Sequence, residues 1–272
     1  MHLSGTLRRG DGPPFEGAFA GPIVEALDAA AGDEEVRAVI LRIDSPGGDA
    51  LAAEEIARAV ERVRAAGRPV VASLTNAGAS GAYWVAVAAD RIVAGADTLT
   101  GSIGVIAAKR VLGELARKLD VEILRLERGR NAGIWSLFTG FDQAERARAE
   151  ALIDEVYRRF LERVAEGRKM DPVRVRELAQ GRVWTGAQAW ERGLVDGLGG
   201  LPEAEAAVRE LLGLAPDAPL VLRRLPEPGL VTWLAALRRS LPLPGLVAGP
   251  PLPGPFLALA PLPAIRRGRL RS

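Results

Sequence analysis

An α/β fold built on a parallel sheet is what the sequence predicts, and three adjacent segments predict it. Val36 to Ile43 is apolar but for two arginines, the composition of a buried strand. From Ala50 to Ala66, alanine, isoleucine and valine recur at helical spacing among Glu and Arg, and Gly67 follows as a C-terminal cap. Pro69 to Leu74 reads as the next strand. Strand, helix and strand within about forty residues form a right-handed crossover, with ligands expected at the carboxyl ends of the strands.

Both of those ends carry breaker residues. The first strand runs into Asp44-Ser45-Pro46-Gly47-Gly48, and the second into the small-residue turn Thr75-Asn76-Ala77-Gly78-Ala79, after which Ser80 opens a helical run through Asp90. Arg91 to Ala94 and Ile103 to Ile106 read as short strands flanking a turn at Thr98-Leu99-Thr100-Gly101-Ser102. Arg110 to Leu119 is an amphipathic helix and Val121 to Leu126 another strand. Beyond it the pattern is helical: Asp142 to Glu166, a helix capped by Asp171-Pro172 and ending by Gln180, one capped by Thr185 and stopping before Gly193, and Pro202 to Leu212. From Leu225 on, ten of the nineteen prolines disfavour regular helix or sheet, and the many leucines predict an extended arm on a neighbouring subunit or a membrane surface, with a disordered tail as the alternative. The domains expected are a core at 1–140, a helical extension at 141–214 and the Pro/Leu/Arg-rich arm at 215–272.

Composition narrows the chemistry. With 48% hydrophobic residues, a chain of 272 can fill a sizeable core. Having no cysteine, it can hold neither a thiol nucleophile nor a Cys-ligated zinc. Its one histidine, His2, stands at the terminus, where fraying is expected, so a Ser-His-Asp triad is disfavoured. The net charge of +2 divides into +5 after Leu225 and −3 before it, so the body is no nucleic-acid platform. Nothing in the sequence asks for a cofactor or a metal, and no uninterrupted apolar run is long enough to span a bilayer.

Ser80 is the sharpest candidate for chemistry. In Gly78-Ala79-Ser80-Gly81-Ala82 it sits at a strand-to-helix turn whose small neighbours let a substrate backbone approach. The Gly81 amide, at the start of the helix, can face a developing oxyanion, and Gly47-Gly48 can turn a second amide to the same point without a Cβ in the way. An ordinary N-cap serine is the structural alternative. Tyr83 and Trp84 read as core.

Five segments together resemble the signal peptide peptidase A (protease IV) family: Ile43-Asp44-Ser45-Pro46-Gly47-Gly48, Ala79-Ser80-Gly81-Ala82-Tyr83-Trp84, Thr98-Leu99-Thr100-Gly101-Ser102-Ile103-Gly104-Val105-Ile106, Gly181-Arg182-Val183-Trp184-Thr185-Gly186 and Gly193-Leu194-Val195-Asp196. The resemblance implies a ClpP/crotonase-like spiral of parallel strands, oligomeric assembly, and cleavage of hydrophobic peptides such as released signal peptides at the extracytoplasmic face of a bacterial inner membrane. It implies Ser80 as nucleophile, Gly47, Gly48 and Gly81 as oxyanion groups, and Ser102 as the serine that orients a lysine base. That lysine is missing: in Gly129-Arg130-Asn131-Ala132-Gly133-Ile134-Trp135, Ala132 stands where it is expected.

A serine hydroxyl needs a neutral base, and a buried lysine can be one if its pKa falls from about 10.4 toward roughly 7 to 8. Arginine stays protonated, which excludes Arg130. Only three lysines exist. Lys118 suits the end of a helix, Lys169 reads as solvated, and Lys109 is a weak alternative base. The chain resembles the serine-bearing second half of the family's long tandem form, and Leu3-Ser4-Gly5-Thr6-Leu7 looks like the end of a first strand clipped at Met1. A lysine supplied by another domain or subunit is therefore one expectation. The alternatives are an inactive assembly module of the same fold and a crotonase-type acyl-CoA enzyme.

Overall fold

A computed structural model describes residues 1–129 and 131–225, together with the strand at 256–257. The arm expected after Leu225 lies outside the described residues except for that strand, as does Arg130. The chain begins with β1 (His2–Ser4), β2 (Leu7–Arg8) and β3 (Ala18–Phe19), followed by α1 (Ala20–Gly32), β4 (Val39–Ser45), α2 (Ala50–Ala65), β5 (Val70–Ala79), α3 (Gly81–Ala86) and β6 (Arg91–Ala94). It continues with β7 (Leu99–Gly101), β8 (Ile106–Ala107), α4 (Gly113–Lys118), α5 (Gln143–Arg168) and α6 (Pro172–Leu178). The last elements are β9 (Val183–Thr185), α7 (Gly186–Glu191), β10 (Gly197–Leu198), α8 (Leu201–Leu211) and β11 (Phe256–Leu257).

The main sheet has the order β1-β4-β5-β6-β10 with every pair parallel, as the crossover reading requires. Parallel strands covered on both faces are apolar along their whole length, and Val70 to Leu74 of β5 is buried throughout. One face carries α1, α2 and α3, whose Leu27, Ile56, Val60 and Tyr83 join Leu41, Ile43 and Leu74 in the principal core. The other receives α8, where Ala204 and Val208 meet Val71 and Val93. Each fully buried Leu or Ile contributes about 1.5–3 kcal/mol.

Two turn readings and two short-strand readings need correction. The segment Thr75 to Ala79, read as a turn, is the second half of β5: against β4 the register slips between Ile43 and Ser45, and β5 leaves β6 for β7, with Gly78 opposite Thr100. The expected turn at Thr98–Ser102 is therefore largely strand β7, which pairs antiparallel with β9 on its far side. Of Ile103–Ile106 only Ile106 is strand; Gly104 crosses residue 181 so closely that a Cβ would lie 3.0 Å from the Gly181 Cα, which leaves no room for a regular ladder. Val121–Leu126 forms no strand, because no described segment pairs with it and a lone strand has nothing to bond to. His2, expected to fray, is held in β1 opposite Arg42.

Candidate active site

Ser80 lies at the carboxyl end of β5, where α3 begins. Its φ of 54° and ψ of −124° are held from both sides: its amide donates to the Gly101 carbonyl at 2.8 Å and its carbonyl accepts from the Trp84 amide at 2.9 Å. The turn aims the side chain away from the helix, so Ser80 occupies the N-cap position without capping anything. Its Oγ is fully buried and has no hydrogen-bond partner.

The glycine loop closes on this point. A Cβ on Gly47 (φ 98°) would stand 2.8 Å from the Ser80 Cβ and 2.7 Å from the Gly81 nitrogen, so only glycine lets the two turns touch. Gly48 is gripped by Leu7, whose amide donates to the Gly47 carbonyl (2.9 Å) and whose carbonyl accepts from the Asp49 amide (3.1 Å). These two bonds leave the Gly48 amide turned away from β2, and the ideal Cβ position of Gly81 is 3.4 Å from the Gly48 nitrogen. Among the described residues neither the Gly48 nor the Gly81 amide has an acceptor. Two free N–H groups thus lie beside an unpaired buried hydroxyl, the layout that stabilises an oxyanion. Asp49 fixes the loop's exit by accepting from the Leu51 and Ala52 amides and pairing with Arg9 at 3.0 Å.

Ser102 ends β7 beside this turn. Its φ is 50°, its amide donates to the Arg182 carbonyl at 2.7 Å, and its Oγ is likewise buried without a partner. Gly101 before it has φ 77°, and a Cβ there would strike the Trp184 ring at 2.7 Å. In the described chain these are the two buried side-chain polar atoms that lack a partner, and Ser80 is bonded directly to the residue preceding Ser102. Unpaired buried polar atoms are rare, and two on turns joined by a backbone bond mark a place built for something else to bond.

Residues 62–215, more than half the chain, match the model of peptidase family S49. The chain belongs to peptidase family S49. Among its relatives, the chloroplastic serine protease SPPA of Arabidopsis thaliana is 36% identical over 84% of this chain and 34% of its own length. Protease 4 of Haemophilus influenzae is 35% identical over 80% of the chain and 35% of its own length, and a putative protease of Synechocystis is 37% identical over 68% and 66%. The chain spans about a third of the length of the first two. The resemblance drawn from five motifs and the parallel α/β architecture expected from it both stand, and the S49 match itself takes in Ser80, Gly81 and Ser102.

No lysine of this S49 chain meets either hydroxyl. The Lys109 ammonium donates to the Ile134 carbonyl at 2.6 Å and lies 4.3 Å over the Phe141 ring. Lys118 and Lys169 are exposed, and Ala132 sits exposed in a turn.

Sequence reasoning missed what holds the S49 site rigid. The Tyr83 hydroxyl donates to the Leu194 carbonyl at 2.7 Å, tying α3 to the Gly193–Asp196 motif. Within that motif Asp196 accepts two bonds from Arg168 and one from the Ile92 amide. Burial alone would raise its carboxyl, but these donors outweigh burial and hold it below the usual carboxylate range. Trp84 donates to Glu54, which also takes Arg163. The motif was visible in the sequence; its partners, more than a hundred residues away for Tyr83, were not.

Proposed function

We propose that the chain is the serine-bearing part of a Ser-Lys endopeptidase that cleaves hydrophobic peptides such as released signal peptides. The observation that carries this reading is the pair of orphaned hydroxyls beside two free amides. Ser80 Oγ attacks the scissile carbonyl as a neutral lysine takes its proton. The Gly48 and Gly81 amides, with Gly47 giving the room, hold the oxyanion, and the lysine returns the proton to the leaving amine before water releases the acyl group. Ser102 Oγ accepts a hydrogen bond from that lysine and orients it. The base comes from another domain or a neighbouring subunit of a homo-oligomer, since none of this chain's lysines meets the hydroxyls. S49 membership and relatives named as proteases support the peptidase class. Among the described residues no helix is long and apolar enough to cross a membrane. We place the activity at the extracytoplasmic face of a bacterial inner membrane, a reading that rests on the resemblance to the signal peptide peptidase A family.

The missing base also favours a second reading, an assembly module that keeps the fold without catalysis. Peptide-ester hydrolysis by this chain, with and without a lysine-bearing S49 partner domain, separates the two. The peptidase reading expects a low rate for the chain alone, a rise of at least about a hundredfold with the partner, and its loss in Ser80→Ala. No rise with the partner overturns it.

A further inference from the structure

Among the described residues, Asp49 is the one buried residue that carries a charge; the other buried polar residues are serines and threonines. It directly follows Gly48, whose amide is one of the two free donors beside Ser80. Both of its carboxylate oxygens are in use. Oδ1 accepts from the Leu51 and Ala52 amides at 2.9 and 3.1 Å, which caps α2, and Oδ2 takes the Arg9 guanidinium at 3.0 Å. A helix cap needs an acceptor and not a charge, since asparagine serves there as well as aspartate. The charge itself works against the site, because a carboxylate one residue from Gly48 repels the negative oxygen that develops there, and more strongly away from bulk water. Arg9 supplies the opposite charge. It stands two residues past Leu7, whose amide and carbonyl grip the glycine loop, so the cation arrives on the segment that orders Gly48.

We propose that Arg9 is a positioning residue for the peptidase reaction: acting through Asp49, it cancels the carboxylate's charge beside the glycine loop and so sets how firmly the Gly48 and Gly81 amides hold an oxyanion. The inference rests on the peptidase reading, in which Ser80 is the nucleophile. The probe is acetyl-Leu-Leu-leucine boronic acid. Ser80 Oγ adds to its trigonal boron, a B–O bond forms, the hydroxyl proton passes to solvent and the boron becomes a tetrahedral anion; this equilibrium needs no lysine. Dissociation constants are measured on the full chain, with boron NMR to identify the adduct and uncharged acetyl-Leu-Leu-leucinol for comparison. Arg9→Ala is expected to weaken the boronate at least about tenfold and the leucinol less than about twofold, and Arg9→Lys to keep most of the boronate affinity. Adding Asp49→Asn to Arg9→Ala is expected to bring boronate affinity back to within about threefold of the parent, because the cap survives and the charge is gone. Unchanged boronate affinity in Arg9→Ala, an equal loss for both ligands, or no recovery with Asp49→Asn overturns the inference and leaves the peptidase reading in place. Failure of the parent to form a tetrahedral adduct that Ser80→Ala abolishes overturns the peptidase reading, and the inference with it.

Discussion

Ser80 keeps a side chain at φ 54° and ψ −124°, a conformation that costs on the order of 1–3 kcal/mol outside glycine. Its buried hydroxyl adds the cost of an unmade hydrogen bond. Ser80→Gly relieves both, so it is expected to stabilise the fold by about 1 kcal/mol, after the extra entropy of an unfolded glycine, while abolishing nucleophilic chemistry. Ser80→Ala keeps the backbone strain and should gain less; urea unfolding of the two variants makes the comparison. Gly48→Ala goes the other way, because φ is 153° and the new Cβ would stand 2.4 Å from the Leu7 carbonyl oxygen. A loss of about 2–4 kcal/mol is expected in the same assay. The convergence of Ser80 and Gly81 with Gly47 and Gly48 was legible in the sequence, since both small-residue loops follow adjacent strands of one crossover. The burial of both hydroxyls was not, because it depends on Leu7, Gly101 and Arg182, brought in from distant segments.

At the scale of elements, α3 is only six residues long and cannot stand by its own hydrogen bonds. Its position is set by Tyr83 on Leu194, by Trp84 on Glu54 and by the Trp84 ring against Phe160, 4.8 Å between centroids. Tyr83→Phe strands the buried Leu194 carbonyl and should cost about 1–2 kcal/mol. Asp196→Asn removes the carboxylate from an arginine whose side chain is 9% exposed, and a loss of about 2–3 kcal/mol is expected. Asp196 is held below its unfolded value, so its contribution is complete above the ordinary carboxylate range and disappears as pH falls through the depressed folded pKa. Urea unfolding from neutral to acid pH should show a shallower acid limb in Asp196→Asn than in the parent. Long elements declared themselves, α2 through its periodicity and the Gly67 that follows it and α5 through its long charged run, and the Thr185 cap betrayed even the six-residue α7. Strands of two or three residues, β7 and β9, did not, because their existence rests on pairing with one another and with the second half of β5.

At the scale of the whole molecule, the described residues spread their apolar surface unevenly. Leu124 and Leu126 are 84% and 89% exposed, with Leu115 and Leu119 also bare, in the same stretch that follows Ser102. Exposed leucines this close in sequence suit contact with a partner. If a neighbouring subunit brings the base, Leu124→Asp combined with Leu126→Asp should leave the unfolding midpoint unchanged but reduce self-association in sedimentation velocity. The β4–α2–β5 crossover was plain from sequence, whereas the spiral by which β5 hands over from β6 to β7 needed coordinates, because a register slip leaves no periodic mark. One consequence concerns synthesis. The surroundings of Ser80 are stitched from residues 5–9, 45–49, 78–81, 99–102 and 181–184. A chain emerging from the ribosome therefore leaves Ser80 without this setting until residues 183–185 have been made, and the hydroxyl is enclosed only when β9 closes on β7.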